Sequence, residues 1–338
     1  MVAADASRSI DLVGGVVAYN EERRLRPAVE SLLSQDLPPG ARWRTLWIVA
    51  SGCTDRTPEV ARALAAEHPQ VRVRLQVERQ GKASALGEIF RETRGDYLVL
   101  LNADAVAAPG AVSALLDTAA SFVPPFAVMG HPEPGELPPA GVGSGLRLLW
   151  RLHHRLHSEL LAAAEGTHLS DELLLLPASH LPPLPEEIVN DGAFIGAWLR
   201  AQGGRLAYAE EARVSIEVPW SLADHIRQRR RILAGHRQVA DLVGVAPSTM
   251  GRYLVVRPDH ALRLLADEVR TLPGGSAALA WLVAGELASA MAAVWDWLPP
   301  RRNHRLWTPI RGPPGSPEPF ERRVVRTSAT PAPSDPAG

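Results

Sequence analysis

The chain has 338 residues, with 36 basic against 37 acidic side chains and a formal net charge of −1. That length exceeds an ordinary domain of about 100–200 residues, and a hydrophobic share of 46% excludes wholesale disorder. Balanced charge argues against a general nucleic-acid binder, and the lone Cys53 excludes an intrachain disulfide or a multi-cysteine zinc site. All but one of the basic residues are Arg, the exception being Lys82, as codon usage in a GC-rich genome produces. The N-terminus lacks a basic stretch followed by a long apolar core, so no secretory signal is expected and a cytoplasmic location is the default.

The first hundred residues alternate strand and helix patterns. Apolar runs at 12–18, 46–50 and 97–101, with an alternating run at 71–77, read as strands. Segments 22–33, 55–67 and 84–94 carry helical spacing, with Pro58 tolerated in a first turn. Strands that are apolar throughout and separated by helices predict a parallel sheet covered on both faces, with ligands at the carboxyl ends of the strands. Beyond it, 124–145 reads as a Pro/Gly-rich loop crossed by a short strand at 126–129. A helix with one apolar and one basic face follows at 146–164, then a strand at 172–176 and a helix at 191–202 stopped by Gly203-Gly204. Residues 212–218 read as a strand and 221–243 as a long Arg-loaded helix. Helices are expected at 259–271 and 276–298. The second is mostly apolar but carries Glu286 near its middle, so it should pack on the protein, with membrane-interface attachment as the alternative. The Pro/Ser-rich segment 313–338 predicts a disordered tail.

Four constellations fall at strand ends. They are Ala18-Tyr19-Asn20-Glu21-Glu22, Ser51-Gly52-Cys53-Thr54-Asp55, Gly81-Lys82-Ala83 and Asn102-Ala103-Asp104. Thr54 or Asp55 suits a helix cap. Lys82 at a helix start suits a phosphate, helped by the helix dipole. Asp104 beside a nucleotide-sized crevice suits a divalent cation bridging two phosphates. Each feature alone is a weak signal, since caps and solvated charges use the same residues; order and position give them weight.

In that order they resemble the family 2 glycosyltransferases with the GT-A fold. The resemblance runs over roughly residues 10–240 and includes Asn190-Asp191 and Gln228-Arg229-Arg230-Arg231. It implies an α/β class: a Rossmann-like, mostly parallel sheet flanked by helices, with a helical C-terminal extension. The implied division is a catalytic domain at 1–243, with donor half 10–122 and acceptor half 123–243, then the extension at 244–312. The implied activity is inverting transfer of a sugar, N-acetylglucosamine or glucose, from a UDP-sugar, with Mn²⁺ or Mg²⁺ as cofactor. Asp191 would be the base. Ala18, Asn20, Glu21, Ser51, Lys82, Asn102, Ala103, Gln228 and Arg231 would bind the donor, and Asp104 the metal, with His225 as a further candidate ligand.

The chain departs from the family at three places. Ser51 stands where many members have Asp, Asn102 replaces the first Asp of Asp-x-Asp, and Ile232 replaces a Trp typical of processive enzymes. The last change favours a single transfer. His153, His154 and His157, among Arg147, Arg151 and Arg155, read as a solvated basic face or a wall for an anionic acceptor rather than a metal cluster. Such an acceptor would be a lipid phosphate, with peripheral contact at the inner membrane face, or a small molecule on an acidic carrier protein, as in natural-product biosynthesis. Two other classes stay open. A nucleotidyltransferase would need a Gly-rich basic loop where Tyr19-Asn20-Glu21-Glu22 stands, and a non-catalytic nucleotide-binding protein would fit a degenerate site.

Overall fold

The computed structural model describes residues 9–139, 141–297, 304 and 306, so the tail expected at 313–338 lies outside the described residues. The N-terminal part is built from β1 (Ile10–Ala18), α1 (Leu25–Leu33), β2 (Ala41–Ser51), α2 (Thr57–Glu67), β3 (Val71–Gln76), α3 (Lys82–Glu92) and β4 (Tyr97–Asn102). The strands pair in parallel in the order β3-β2-β1-β4. Leu12, Val16, Leu46, Ile48 and Val99 pack on α1 and α2, while Val13, Val49, Leu98 and Leu100 face α3. Burying both faces explains the unbroken apolar runs.

A short β5 (Ala105–Ala107) and α4 (Ala111–Ala119) lead to β6 (Phe126–Pro134), α5 (Val142–Ala162), β7 (Leu173–Pro177), α6 (Asp191–Ala201) and β8 (Arg205–Ile216). The full sheet has eight strands in the order β3-β2-β1-β4-β7-β6-β8-β5. β7 runs antiparallel to β4 and β6, β8 is parallel to β6, and β5 is antiparallel to β8. The α/β class with flanking helices therefore holds. The expected short strand at 126–129 continues through the Pro-containing segment to Pro134, where it pairs with β8. β8 itself starts at Arg205, seven residues before the apolar run that marked it, because its polar positions face outward.

The C-terminal third is α7 (Leu222–Val243), α8 (Met250–Val256), α9 (Pro258–Thr271) and α10 (Gly275–Trp297). α10 packs against α5 and α7. Its approach to α5 is set by Gly145, where an added Cβ would lie 2.0 Å from the Trp281 ring. Leu148, Leu152, Leu264, Leu272 and Leu282 make a separate small core there. α10 is long and apolar enough to cross a membrane, and much of its surface is exposed.

Candidate active site

The loops after β1 and β2 are tied together. Asn20 sits at φ 56°, its Oδ1 accepts from the Thr54 amide at 2.8 Å, and its Nδ2 donates to Thr54 Oγ1 at 3.2 Å. The amides of Glu21 and Glu22 donate to Thr57 Oγ1 and Asp55 Oδ2. Gly52, at φ +59°, passes so close to Arg79 that a Cβ would lie 2.4 Å from its backbone nitrogen. The structure thus gives Asn20 a stapling role rather than a place on the cavity wall. Ala18 is likewise buried, its carbonyl accepting from Cys53 Sγ.

A cavity of about 840 Å³ opens at the carboxyl ends of β1, β2 and β4. Glu21, Ser51, Lys82, Asn102, Ala103 and Asp104 line it on the side of these strand ends. Two further lining residues, Tyr19 and Arg79, form a pair, the guanidinium 3.6 Å from the ring centroid. Arg79 carried no sequence signal.

The acidic centre adjoins this wall at the end of β4, where the Asn102 amide donates to the Glu172 carbonyl at 3.1 Å. Asn190 caps α6 by accepting from the Ala193 amide at 3.0 Å, which places Asp191 in the first turn. Lys82 Nζ binds Asp171 and stands 3.1 Å from Asp191 Oδ2. Asp171, in the segment before β7, was not singled out in the sequence; only the tertiary contact with Lys82 reveals it. Burial pushes the Asp191 carboxyl up to about 6 against the pull of Lys82. Burial also opposes ionisation of Asp171, yet Lys82 holds that carboxyl below its ordinary value. Glu172 beside it is raised to about 7 by burial and by Asp171. Lys82 is therefore held by two carboxylates, and its ammonium is favoured despite burial.

Asp104 occupies a second acidic corner. Arg24 Nε lies 2.7 Å from Glu21 Oε2 and Nη1 lies 2.5 Å from Glu217 Oε2. Burial raises Asp104, and burial together with Asp104 raises Glu21 well above its ordinary value. His225 is not brought to this corner. It is fully buried, its ring 4.9 Å from that of Trp281 and its Nε2 3.8 Å from Glu286, and burial lowers it to about 4. Among the described residues no group of three or more His, Cys, Asp or Glu is arranged to hold a metal ion.

On α7, Gln228 and Arg231 line the cavity, and Arg231 Nη2 donates to the Val189 carbonyl at 2.8 Å. Arg227 and Arg237 pair within α7, with Asp224 and Asp241, while Arg229 and Arg230 are committed to α10. Arg229 makes a two-point bond with Glu286, at 2.6 and 2.9 Å, and Arg230 makes one with Asp296. The carboxylate that interrupts the apolar run at 276–298 thus pairs that helix with α7, beside a second pair made by Asp296.

A mixed sheet with this strand order, carrying a polar cleft at the ends of its parallel strands, defines the GT-A class of glycosyltransferase folds. Over 86% of the chain and 89% of the other, it superposes on the mannosyltransferase PcManGT from Pyrobaculum calidifontis, solved with GDP-Man and Mn²⁺, with TM-score 0.63 and 21% identity. Residues 15–129 match the model of glycosyl transferase family 2. The chain is 39% identical over 92 residues to the beta-monoglucosyldiacylglycerol synthase of Synechocystis sp., covering 27% of this chain and 19% of the relative. With glycosyltransferase AglD of Haloferax volcanii it shares 33% identity over 106 residues, or 30% and 16% of the two chains. The matched segment spans about a fifth or less of those relatives.

Proposed function

We propose that this protein transfers a single sugar, with inversion, from a nucleoside-diphosphate sugar to an acceptor bound beside α6. The observation that carries the reading is that Asp191 faces the same cavity as Ser51, Lys82, Asn102 and Asp104. UDP-glucose or UDP-N-acetylglucosamine is the donor proposed, with the base beside Tyr19 and Arg79 and the ribose near Ser51 and Asn102.

The acceptor hydroxyl loses its proton to an Asp191 oxygen as its own oxygen bonds to the anomeric carbon. The bond from that carbon to the diphosphate breaks on the opposite face, and the nucleoside diphosphate leaves with the electron pair. Lys82 has two roles in this scheme. Before the donor arrives it holds Asp191 and Asp171 in place, and it supplies positive charge toward the leaving diphosphate. Asp171 is a positioning residue that keeps Lys82 and Asp191 together.

A divalent cation fits the other corner. Asp104 stands half-buried near Glu21 and Glu217 with Arg24 as its main cationic neighbour, so a cation would favour its ionised form. Asp104 would be its protein ligand, and such an ion would neutralise charge developing on the diphosphate.

The test is thermal shift with UDP, GDP, dTDP and CDP, each with and without Mn²⁺. Stabilisation by one nucleotide that needs metal and is lost in Asp104→Ala supports the reading, and no shift with any nucleotide breaks it.

A further inference from the structure

The loop between β1 and α1 carries two consecutive arginines, and the fold uses them differently. Arg23 is exposed, whereas Arg24 is half-buried between Glu21, three residues before it, and Glu217, the residue that follows β8. Arg24 Nη1 donates to Glu217 Oε2 at 2.5 Å. Its Nε lies 2.7 Å from Glu21 Oε2, but that contact is charge without alignment. Glu21 Oε2 is shielded from solvent and makes no hydrogen bond among the described residues. Buried polar atoms are normally paired, so this oxygen is open to a partner that meets it from the other side.

That other side is the large cavity. Glu21, Asp104 and Glu217 all line it, and Arg24 does not. Arg24 instead lines a second cavity of about 260 Å³, together with Asp104, Glu136, Glu217 and Trp220. The two cavities share Asp104, Ile216 and Glu217. Three carboxyl groups thus face the large cavity with one guanidinium behind them.

The charges are coupled through this wall. Arg24, ahead of Lys82, is the cation that bears on Asp104, and Glu21, Glu217 and Asp104 all bear on Arg24. Charges a few ångströms apart in a partly buried site interact far more strongly than in bulk water. A divalent ion arriving from the large cavity therefore meets carboxyl groups that already have a cation, and the resident guanidinium lowers their affinity for a second one. Arg24 also has room to withdraw. A water takes about 30 Å³ of liquid, so the second cavity holds several, and its wall carries the exposed carboxylate of Glu136.

We propose that Arg24 is the resident counter-ion of the acidic corner, that a divalent cation displaces it toward the second cavity, and that this exchange sets how tightly the protein holds a metal. The role rests on the cation assigned to Asp104 in the reading above. Arg24 touches neither the donor nor the reacting atoms, so it is a positioning residue. Metal affinity is then low in the free protein and rises when a diphosphate adds its own oxygens.

The test is titration of the full chain with Mn²⁺ alone, followed by the electron paramagnetic resonance signal of the free ion. Arg24→Gln removes the charge and should bind Mn²⁺ at least fivefold more tightly than the parent. Arg24→Lys keeps the charge and should bind like the parent. Adding Asp104→Ala to Arg24→Gln should abolish the tight binding. A purely structural Arg24 gives the opposite order, because losing its hold on Glu21 and Glu217 would loosen the corner and weaken Mn²⁺. Equal or weaker binding by folded Arg24→Gln therefore overturns the proposal. So does tight binding that survives Asp104→Ala, or Arg24→Lys binding as tightly as Arg24→Gln. Glu136→Arg, at an exposed position outside the corner, tests the withdrawal and decides if circular dichroism shows Arg24→Gln unfolded. It blocks the retreat of Arg24 and should weaken Mn²⁺ binding several-fold, and unchanged binding overturns the displacement. Nucleotide thermal shift on the same samples separates the two readings. Tight Mn²⁺ binding by Arg24→Gln with no shift by any nucleotide breaks the transferase reading alone. A metal-dependent nucleotide shift with Mn²⁺ affinity unchanged by Arg24→Gln breaks only this one.

Discussion

The two halves of the cavity are built on different principles. The strand side hangs on parallel strands whose cores are sealed by α1, α2 and α3, and its polar groups sit on short loops tied by local hydrogen bonds such as Asn20–Thr54. The other side is assembled from helices distant in sequence, joined by a small leucine core and by ion pairs such as Arg229–Glu286 and Arg151–Glu268.

Substitutions along the seam between the halves test that contrast. Asp191→Asn should lower kcat by a factor of about 10²–10⁴, the usual contribution of a general base, with nucleotide binding kept. Steady-state kinetics beside thermal shift checks it. Because burial raises the Asp191 carboxyl to about 6, transfer should fall as pH drops through that value and its base becomes protonated. A rate profile flat between pH 5 and 7 would argue against Asp191 as base.

Lys82→Met leaves the buried Asp191 and the partly exposed Asp171 without their shared cation. Breaking a fully buried pair costs about 3–5 kcal/mol; with two of the three side chains partly exposed the loss should be smaller, and urea unfolding would show it. Lys82→Met/Asp171→Leu should recover part of the loss.

Gly145→Val, in contrast, acts only on the helical side. Overpacking against Trp281 should cost about 1–3 kcal/mol and loosen α10 while nucleotide binding persists, an outcome that hydrogen exchange on α10 would show. The smallest change is Glu286→Gln. It frees Arg229 from a partly exposed pair worth at most about 1 kcal/mol, and should barely move the melting temperature.

Much of the donor side was legible because strand period, glycine placement and polar loop residues are local properties. Ser51, Lys82, Asn102 and Asp104 lie on one wall because parallel strands bring their carboxyl ends together. Asn20 and Ala18 were adjacent to that wall in sequence, but one ties the loop to Thr54 and the other is buried at the strand end. His225 shared a helix with Gln228 and Arg231, yet packing turned it to Trp281 instead.

The acceptor side was legible only in pieces. The sequence showed a helix rich in Arg and His, a second one loaded with Arg, and an apolar helix carrying one central Glu, but no local rule pairs residues that far apart. Arg229 and Glu286 stand 57 positions apart, and Lys82 and Asp171 stand 89 apart. By itself the sequence determined the α/β class, the polar loops at the strand ends and the acid at the start of α6, all of which follow from short-range periodicity and capping. Only the tertiary structure decided which charges neutralise each other and which carboxylates Arg24 stands between. Those outcomes depend on how buried surfaces dock, and no short stretch of chain specifies that.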